Sequence, residues 1–285
     1  MSEKNDKTIS IVGCGWLGFP LAVRLLEQGY ATVRGSTTSY GKLPMLREAG
    51  IEACEAILDP EPKGGNWSEL LQADTLIVDI PPRLSKQGGD FHPRQMRNLT
   101  ALIEKSPVSE IIYVSSTSVY PELSRVMVEE DVTKPEESAS PCLIEAEQIM
   151  VSLRDKGRNV TILRCGGLMG YDRIPGKYVR GRQGITTGNV PVNYIHRDDV
   201  AAIISELLTR GISDETYNAV APEHPTRRAI YEKSCLDHGW ELPTFTEPEV
   251  PEPFKRVSSD NIIHQLHYIF LYPDPLEFQY DKIEA

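Results

Sequence analysis

Three glycines near the start of the chain, Gly13, Gly15 and Gly18, stand in G-x-G-x-x-G spacing within TISIVGCGWLG. A short apolar strand, 9–12, runs into them, and Leu21, Ala22, Leu25 and Leu26 follow with helical period as far as Gly29. Strand, glycine turn and helix form the context in which this spacing holds a dinucleotide. Gly13 allows the tight turn, Gly15 leaves room for a pyrophosphate against the backbone, and Gly18 lets helix and strand pack closely. Trp16 and Leu17 lie at the helix start, where unpaired N–H groups and the positive end of the helix dipole face an anion. At the next strand, 31–34, a site for NAD usually carries an acid that bonds the ribose 2′-hydroxyl. Arg34 stands there instead, followed by Ser36 and Thr37. A guanidinium and hydroxyls suit a 2′-phosphate, so NADP is the expected cofactor ahead of NAD.

The elements that must position this turn alternate along the chain. Further strands are predicted at 51–58, ending at Asp59, at 75–80, stopped by Pro81 and Pro82, and at 111–115 and 160–163. Helical spacing falls at 43–48, 96–103 and 144–153. Such alternation predicts an α/β fold of Rossmann type, a doubly wound parallel sheet with helices on both faces. Ligands of these sheets sit beyond the carboxyl ends of the strands, which adds Asp59, Pro81 and Pro82 to the expected cofactor contacts. Residues 1–164 are read as the dinucleotide-binding domain. Residues 165–285 are read mainly as a smaller C-terminal substrate lobe, with later segments returning to the first domain; helices are predicted from Asp198 to Arg210, at 227–238 and, capped, at 259–266, and a strand at 217–220.

Bulk composition narrows the partners. The chain has 285 residues, 40% hydrophobic, and a net charge of -11. That is long enough for a sizeable core. An acidic chain without a basic block is a poor match for nucleic acid or an anionic membrane. No apolar run approaches the ~20 residues of a membrane span. The polar start MSEKNDKT has no signal-peptide core, and the five cysteines show no metal-binding spacing. A reducing cytoplasm, no metal, a small-molecule substrate and a homodimer are the expectations.

Several segments resemble the extended short-chain dehydrogenases/reductases, the superfamily of NAD-dependent epimerases and dehydratases. IIYVSSTSVYPE is similar to its fifth strand and catalytic serine segment, ILRCGGLMG to its sixth strand, and NYIHRDDVAAII to its His-x-x-Asp-Val helix start. RVSSDNIIHQL fits its C-terminal helix. GCGWLGFPLA, GSTT, APEHPTR and YPDPL bring the chain nearest to an atypical branch, the YeeZ-like group. The resemblance covers nearly the whole sequence, and it speaks to fold more than to reaction.

The resemblance implies a Ser–Tyr–Lys active site, and this chain keeps only part of it. Ser116 falls at the serine. Aligning EAEQIM with the family puts Ala139 at the tyrosine and Leu143 at the lysine, and no YxxxK occurs anywhere. Proton transfer beside a nicotinamide needs a donor near pKa 7, which alanine and leucine cannot supply. His196 and Cys142 are the alternative donors, against readings as a turn-ordering histidine and a half-buried core thiol. Ser116 itself can be read as a strand-end hydroxyl bonding backbone. Ser118, Tyr178, His196 and Arg256 are the candidate substrate contacts, with Arg173 and Lys177 as further cations for an anionic substrate. Gly167 occupies the place where nucleotide-sugar members often carry an asparagine. Two readings stand: an atypical oxidoreductase or epimerase using Ser116, and a non-catalytic NADP(H)-binding or sensor protein.

Overall fold

The computed structural model describes residues 5–82 and 88–282. Among these, seven parallel strands make the central sheet: β1 (Asn5–Val12), β2 (Tyr30–Thr37), β3 (Glu52–Glu55), β4 (Thr75–Val78), β5 (Glu110–Ser116), β6 (Asn159–Cys165) and β7 (Thr216–Ala219). Their order is β3-β2-β1-β4-β5-β6-β7. The connections therefore reverse direction between β1 and β4, and a crevice opens beyond the carboxyl ends of the strands at such a switch point. The central strands are apolar on both faces, as TISIV and TLIV read, because helices cover both.

Helix α1 (Gly18–Glu27) buries Leu21, Ala22 and Leu25 on one face of the sheet. α2 (Leu43–Glu48) adds Leu43 and Leu46 to the same cluster. α3 (Trp67–Leu70), α4 (Phe91–Ile103) and α5 (Pro141–Val151) pack on the opposite face around Met96, Leu99, Ala146 and Met150. α6 (Arg197–Arg210) comes back beside α1, burying Val200, Ile203, Ile204 and Leu207. β7 then extends the sheet next to β6. Residues beyond 165 thus supply both a strand and a core helix to the layers of the central sheet. α7 (Arg227–Asp237) belongs to the smaller lobe, whose core is Ile174, Cys235 and Trp240. α8 (Asp260–Gln265) returns Ile262 to the main cluster.

Two expectations are corrected here. The predicted strand 51–58 breaks at Ala56: β3 ends at Glu55, and Ile57–Asp59 turns back on Glu61–Lys63 as an antiparallel ribbon. The Ser259 side chain makes no cap bond to α8; the Asp260 N–H donates to Ser258 Oγ at 3.1 Å instead. Among the described residues no helix is long and apolar enough to cross a membrane.

Candidate functional site

A cleft of about 550 Å³ opens at the switch point, walled by the glycine turn, the loop after β2, the Ile57–Asp59 ribbon and the end of β4. The turn is tied to β2: the Gly13 N–H donates to Ser36 Oγ at 3.1 Å and the Cys14 N–H to the Ser36 carbonyl at 2.7 Å. Gly13 has φ +108°, and a Cβ there would overlap the Asp79 carbonyl. A Cβ at Gly18 would overlap the Gly13 carbonyl, so both positions exclude side chains for reasons of fold. Gly15 differs. A Cβ there meets nothing within 4 Å and would project into open space at the cleft wall. Among the described residues the N–H groups of Trp16 and Leu17 have no acceptor. An open surface at Gly15 beside two unpaired donors fits a pyrophosphate.

Ser36, Thr37, Asp59 and Pro81 line this cleft, whereas Pro82 does not. Asp59 is also held by Lys63 at 3.1 Å. Arg34 must be corrected. β2 continues to Thr37, which leaves Arg34 in mid-strand directly opposite Glu52 on β3. Its Nε pairs with the Glu52 carboxylate at 3.0 Å and its Nη1 bonds the Gln72 carbonyl. It lines a different pocket, on the side of α3. The cation that does line the cleft is Lys42, which makes no ion pair among the described residues. The signal for it was present in the sequence as a lysine directly before α2, one loop beyond the strand end.

Asp79, just beyond β4, was also missed. It lines the cleft, and burial raises its carboxyl to about pKa 7 against the opposing pull of the Arg173 guanidinium and the Gly18 N–H. The same burial, with the Asp79 charge nearby, pushes the Cys14 thiol up to about 12. Gln95 completes the wall by donating to the Leu58 carbonyl at 2.6 Å.

Of the residues expected at the reacting end, Ser116 and Ser118 bond each other, and among the described residues neither bonds Tyr178 or His196. Ser116 ends β5, and its Oγ accepts bonds from the Ser118 N–H at 3.2 Å and the Ser118 hydroxyl at 2.9 Å. Ala139 is exposed before α5, with its N–H on the Val119 carbonyl at 2.9 Å, and Leu143 is buried with Val119 and Tyr120. His196 is only 1% exposed. It caps α6 by accepting the Asp198 N–H at 3.3 Å and packs 3.9 Å from the Tyr272 ring centroid. Burial lowers its pKa against the pull of Asp198 and Asp199, and the enclosed ring caps a helix, so its assignment as acid/base or substrate contact is replaced by a capping role. Tyr178 is 62% exposed in the small lobe and is not among the residues that line the cleft. Arg256 lines a separate surface pocket with His224 and Asp274, which shares no residue with the cleft beside the glycine turn. Lys177 is exposed, and Cys142 is half-buried with its thiol raised by burial.

Under Ser116 the protein carries a buried charge network. The Arg164 and Glu147 side chains, 4% and 6% exposed, pair at 2.8 Å. Arg164 also donates to Tyr120 Oη and to the Glu129 and Val132 carbonyls, and Ser115 Oγ donates to Glu147 at 2.5 Å. This polar bonding is satisfied internally and fixes α5 to β6. Gly167 has its own structural reason, since a Cβ there would lie 2.7 Å from the Tyr194 ring.

Comparison with known proteins agrees with the dinucleotide geometry. A family model described as NAD(P)H-binding matches residues 14–210. Protein YeeZ of Escherichia coli K12 is 32% identical over 272 residues, spanning 95% of this chain and 98% of YeeZ. Among solved structures, MoeE5 in complex with UDP-glucose and NAD superposes with a TM-score of 0.77 at 15% identity, covering 95% of this chain and 97% of its own. A UDP-glucose 4-epimerase from Stenotrophomonas maltophila with bound NAD gives 0.75 at 16% identity, with 95% of each chain covered. At these identities the structural likeness speaks for the fold alone.

Proposed function

Because the chain belongs to the NAD(P)H-binding family and is a homologue of YeeZ over nearly its whole length, we propose that it binds NADP(H) as a dinucleotide-binding or sensor protein, without the usual proton-transferring Tyr–Lys pair. The observation that carries this reading is the contrast between the two ends of the crevice. The adenosine and pyrophosphate end is built: open at Gly15, with unpaired N–H groups at Trp16 and Leu17. At the other end Ala139 and Leu143 offer no titratable group, and His196 is committed to a helix cap.

Preference for NADP(H) rests on the end of β2 and the loop after it. Ser36, Thr37, Thr38, Ser39 and Lys42 line the cleft where a 2′-phosphate would lie, and no carboxylate stands at the end of β2. Lys42 is exposed, so its pairing is worth about 1 kcal/mol, roughly fivefold in affinity. Fluorescence titration should show NADPH binding more tightly than NADH, with Lys42→Ala narrowing the difference. Arg34→Ala should leave both affinities unchanged. Equal wild-type affinity for the two dinucleotides would refute the preference. The five unpaired cysteines suit the reducing cytoplasm in which we place the protein.

The Ser116–Ser118 pair, open to solvent at the end of β5, supports a second reading as an atypical oxidoreductase or epimerase on a small substrate. Two of the similar folds hold UDP-sugars, but Gly167 leaves this chain no side chain for the corresponding contact. Loss of NADPH oxidation in Ser116→Ala, measured against a panel of small carbonyl compounds, would favour this reading. A panel with no turnover would remove it.

A further inference from the structure

The short turn at 170–173, part of the chain after β6, reaches across to the glycine turn. Trp16 Nε1 donates to Asp172 Oδ1 at 2.6 Å, and the Arg173 guanidinium lies 4.0 Å from the centroid of the Trp16 ring. A second guanidinium, Arg197, lies 4.8 Å from the same ring and donates to the Trp16 carbonyl at 3.4 Å. The acids nearby are mostly committed: Asp172 to the indole, and Asp198 to Tyr171 Oη at 2.7 Å and to Arg197 at 3.8 Å. Arg173 makes no ion pair within 4.0 Å among the described residues, and Asp79 is the acid whose ionisation its charge affects.

A half-buried guanidinium held against the glycine turn, beside two unpaired N–H groups, is arranged to receive an anion. Resting on the reading that a dinucleotide occupies this cleft, we propose that Arg173 is a direct ligand of its pyrophosphate, supplied to the glycine turn by the C-terminal part of the chain. Arginine presents forked donors that match phosphate oxygens, and charge-assisted bonds of this kind are the strong ones. Asp172 keeps the Trp16 indole in place, and the indole in turn supports the guanidinium from below. In the free protein Asp79 is the acid that feels the arginine's charge, beyond ion-pair distance. The pyrophosphate would be the arginine's direct partner. The link also explains why the turn after β6 is fastened to Trp16: the arginine must stay in register with the free N–H groups of Trp16 and Leu17.

The test compares ligands that share only parts of the dinucleotide. ADP-ribose contains the pyrophosphate without the nicotinamide, whereas adenosine 2′-monophosphate lacks the pyrophosphate. Calorimetry on wild type, Arg173→Gln and Arg173→Lys would measure NADPH, NADH, ADP-ribose and adenosine 2′-monophosphate, with a melting curve for each variant. The expected result is a 10- to 100-fold loss, on the order of one or two charge-assisted bonds, shared by the first three ligands in Arg173→Gln. Adenosine 2′-monophosphate should stay within twofold, and Arg173→Lys should fall between. If Arg173→Gln binds ADP-ribose as wild type does, the assignment is overturned while the cofactor site stands. Equal weakening of all four ligands overturns it too, because the arginine would then be supporting the fold of the cleft. A wild type that binds neither dinucleotide nor ADP-ribose overturns the cofactor reading itself.

Discussion

Gly15 and its two neighbours in the motif should respond to substitution in opposite ways. Gly13 and Gly18 have backbone carbonyls where a Cβ would go, whereas Gly15 has nothing within 4 Å. Gly13→Ala and Gly18→Ala therefore overfill the turn and should cost about 1–3 kcal/mol each. Gly15→Val should leave the free protein within about 1 kcal/mol of wild type, since the unfolded chain also loses freedom. Its branched side chain would stand where the pyrophosphate approaches. The readout is the thermal shift caused by cofactor. A ligand at 100 times its Kd stabilises by about 2.7 kcal/mol. At about 2.1 cal/mol/K per residue, 285 residues give an unfolding entropy of about 0.6 kcal/mol/K. Saturating NADPH should then raise the wild-type Tm by about 4–5 °C. Gly15→Val should melt within about 2 °C of unliganded wild type and show no shift. Gly13→Ala should melt about 2–5 °C lower without ligand. A Gly15→Val protein that melts normally and keeps the full shift would refute the argument that this glycine makes room for a phosphate.

Three further outcomes follow from the geometry. Glu147→Gln strands the buried Arg164 guanidinium and should cost about 3–5 kcal/mol in chemical denaturation, whereas Glu206→Gln, in the exposed pair with Arg210, should cost under about 1 kcal/mol; similar costs would mean that the buried network is not tightly formed. NADPH affinity should fall as pH rises through about 7, because Asp79, faced by Arg173, the Gly18 N–H and the neutral thiols of Cys14 and Cys165, is a neutral acid below that pH and a carboxylate opposing the pyrophosphate above it; Asp79→Asn should flatten the profile, and an unchanged slope in that variant would exclude Asp79 as its source. Incubation with NAD or NADP and UDP-sugars should give no epimerised or dehydrated product by mass spectrometry, since loss of general acid–base catalysis alone removes ~10²–10⁴-fold; turnover near 1 s⁻¹, the low end of the usual enzyme range, would show that an unassigned group transfers the proton.

The sequence was most legible where a long periodic pattern met a turn signal. The glycine turn and its strand and helix lie where the spacing placed them, and α2 spans Leu43–Glu48 as expected. The ribbons at Gly167–Met169 with Tyr194–His196, and at Arg125–Met127 with Lys255–Val257, were not visible. Strands of three residues carry no period, and their partners are distant in sequence. Site residues failed for a related reason. Arg34 depended on where β2 ends: extension of the strand to Thr37 exchanged it for Lys42 as the cation of the cleft. His196 has the right chemistry for proton transfer, yet its burial among Tyr171, Tyr272 and Phe278 is a tertiary fact. Asp79 fell inside the predicted strand 75–80 and carried no signal, because the burial and the Arg173 charge that set its ionisation arise only in the folded chain.

The most direct test of the central claim is calorimetric titration of the purified wild-type protein with NADPH and with NADH at pH 6.5, below the raised pKa of the Asp79 carboxyl. The structure predicts saturable binding of both dinucleotides at one site per chain, tighter for NADPH. Absence of saturable binding by either would contradict the assignment of the Gly13–Gly18 cleft as a cofactor site.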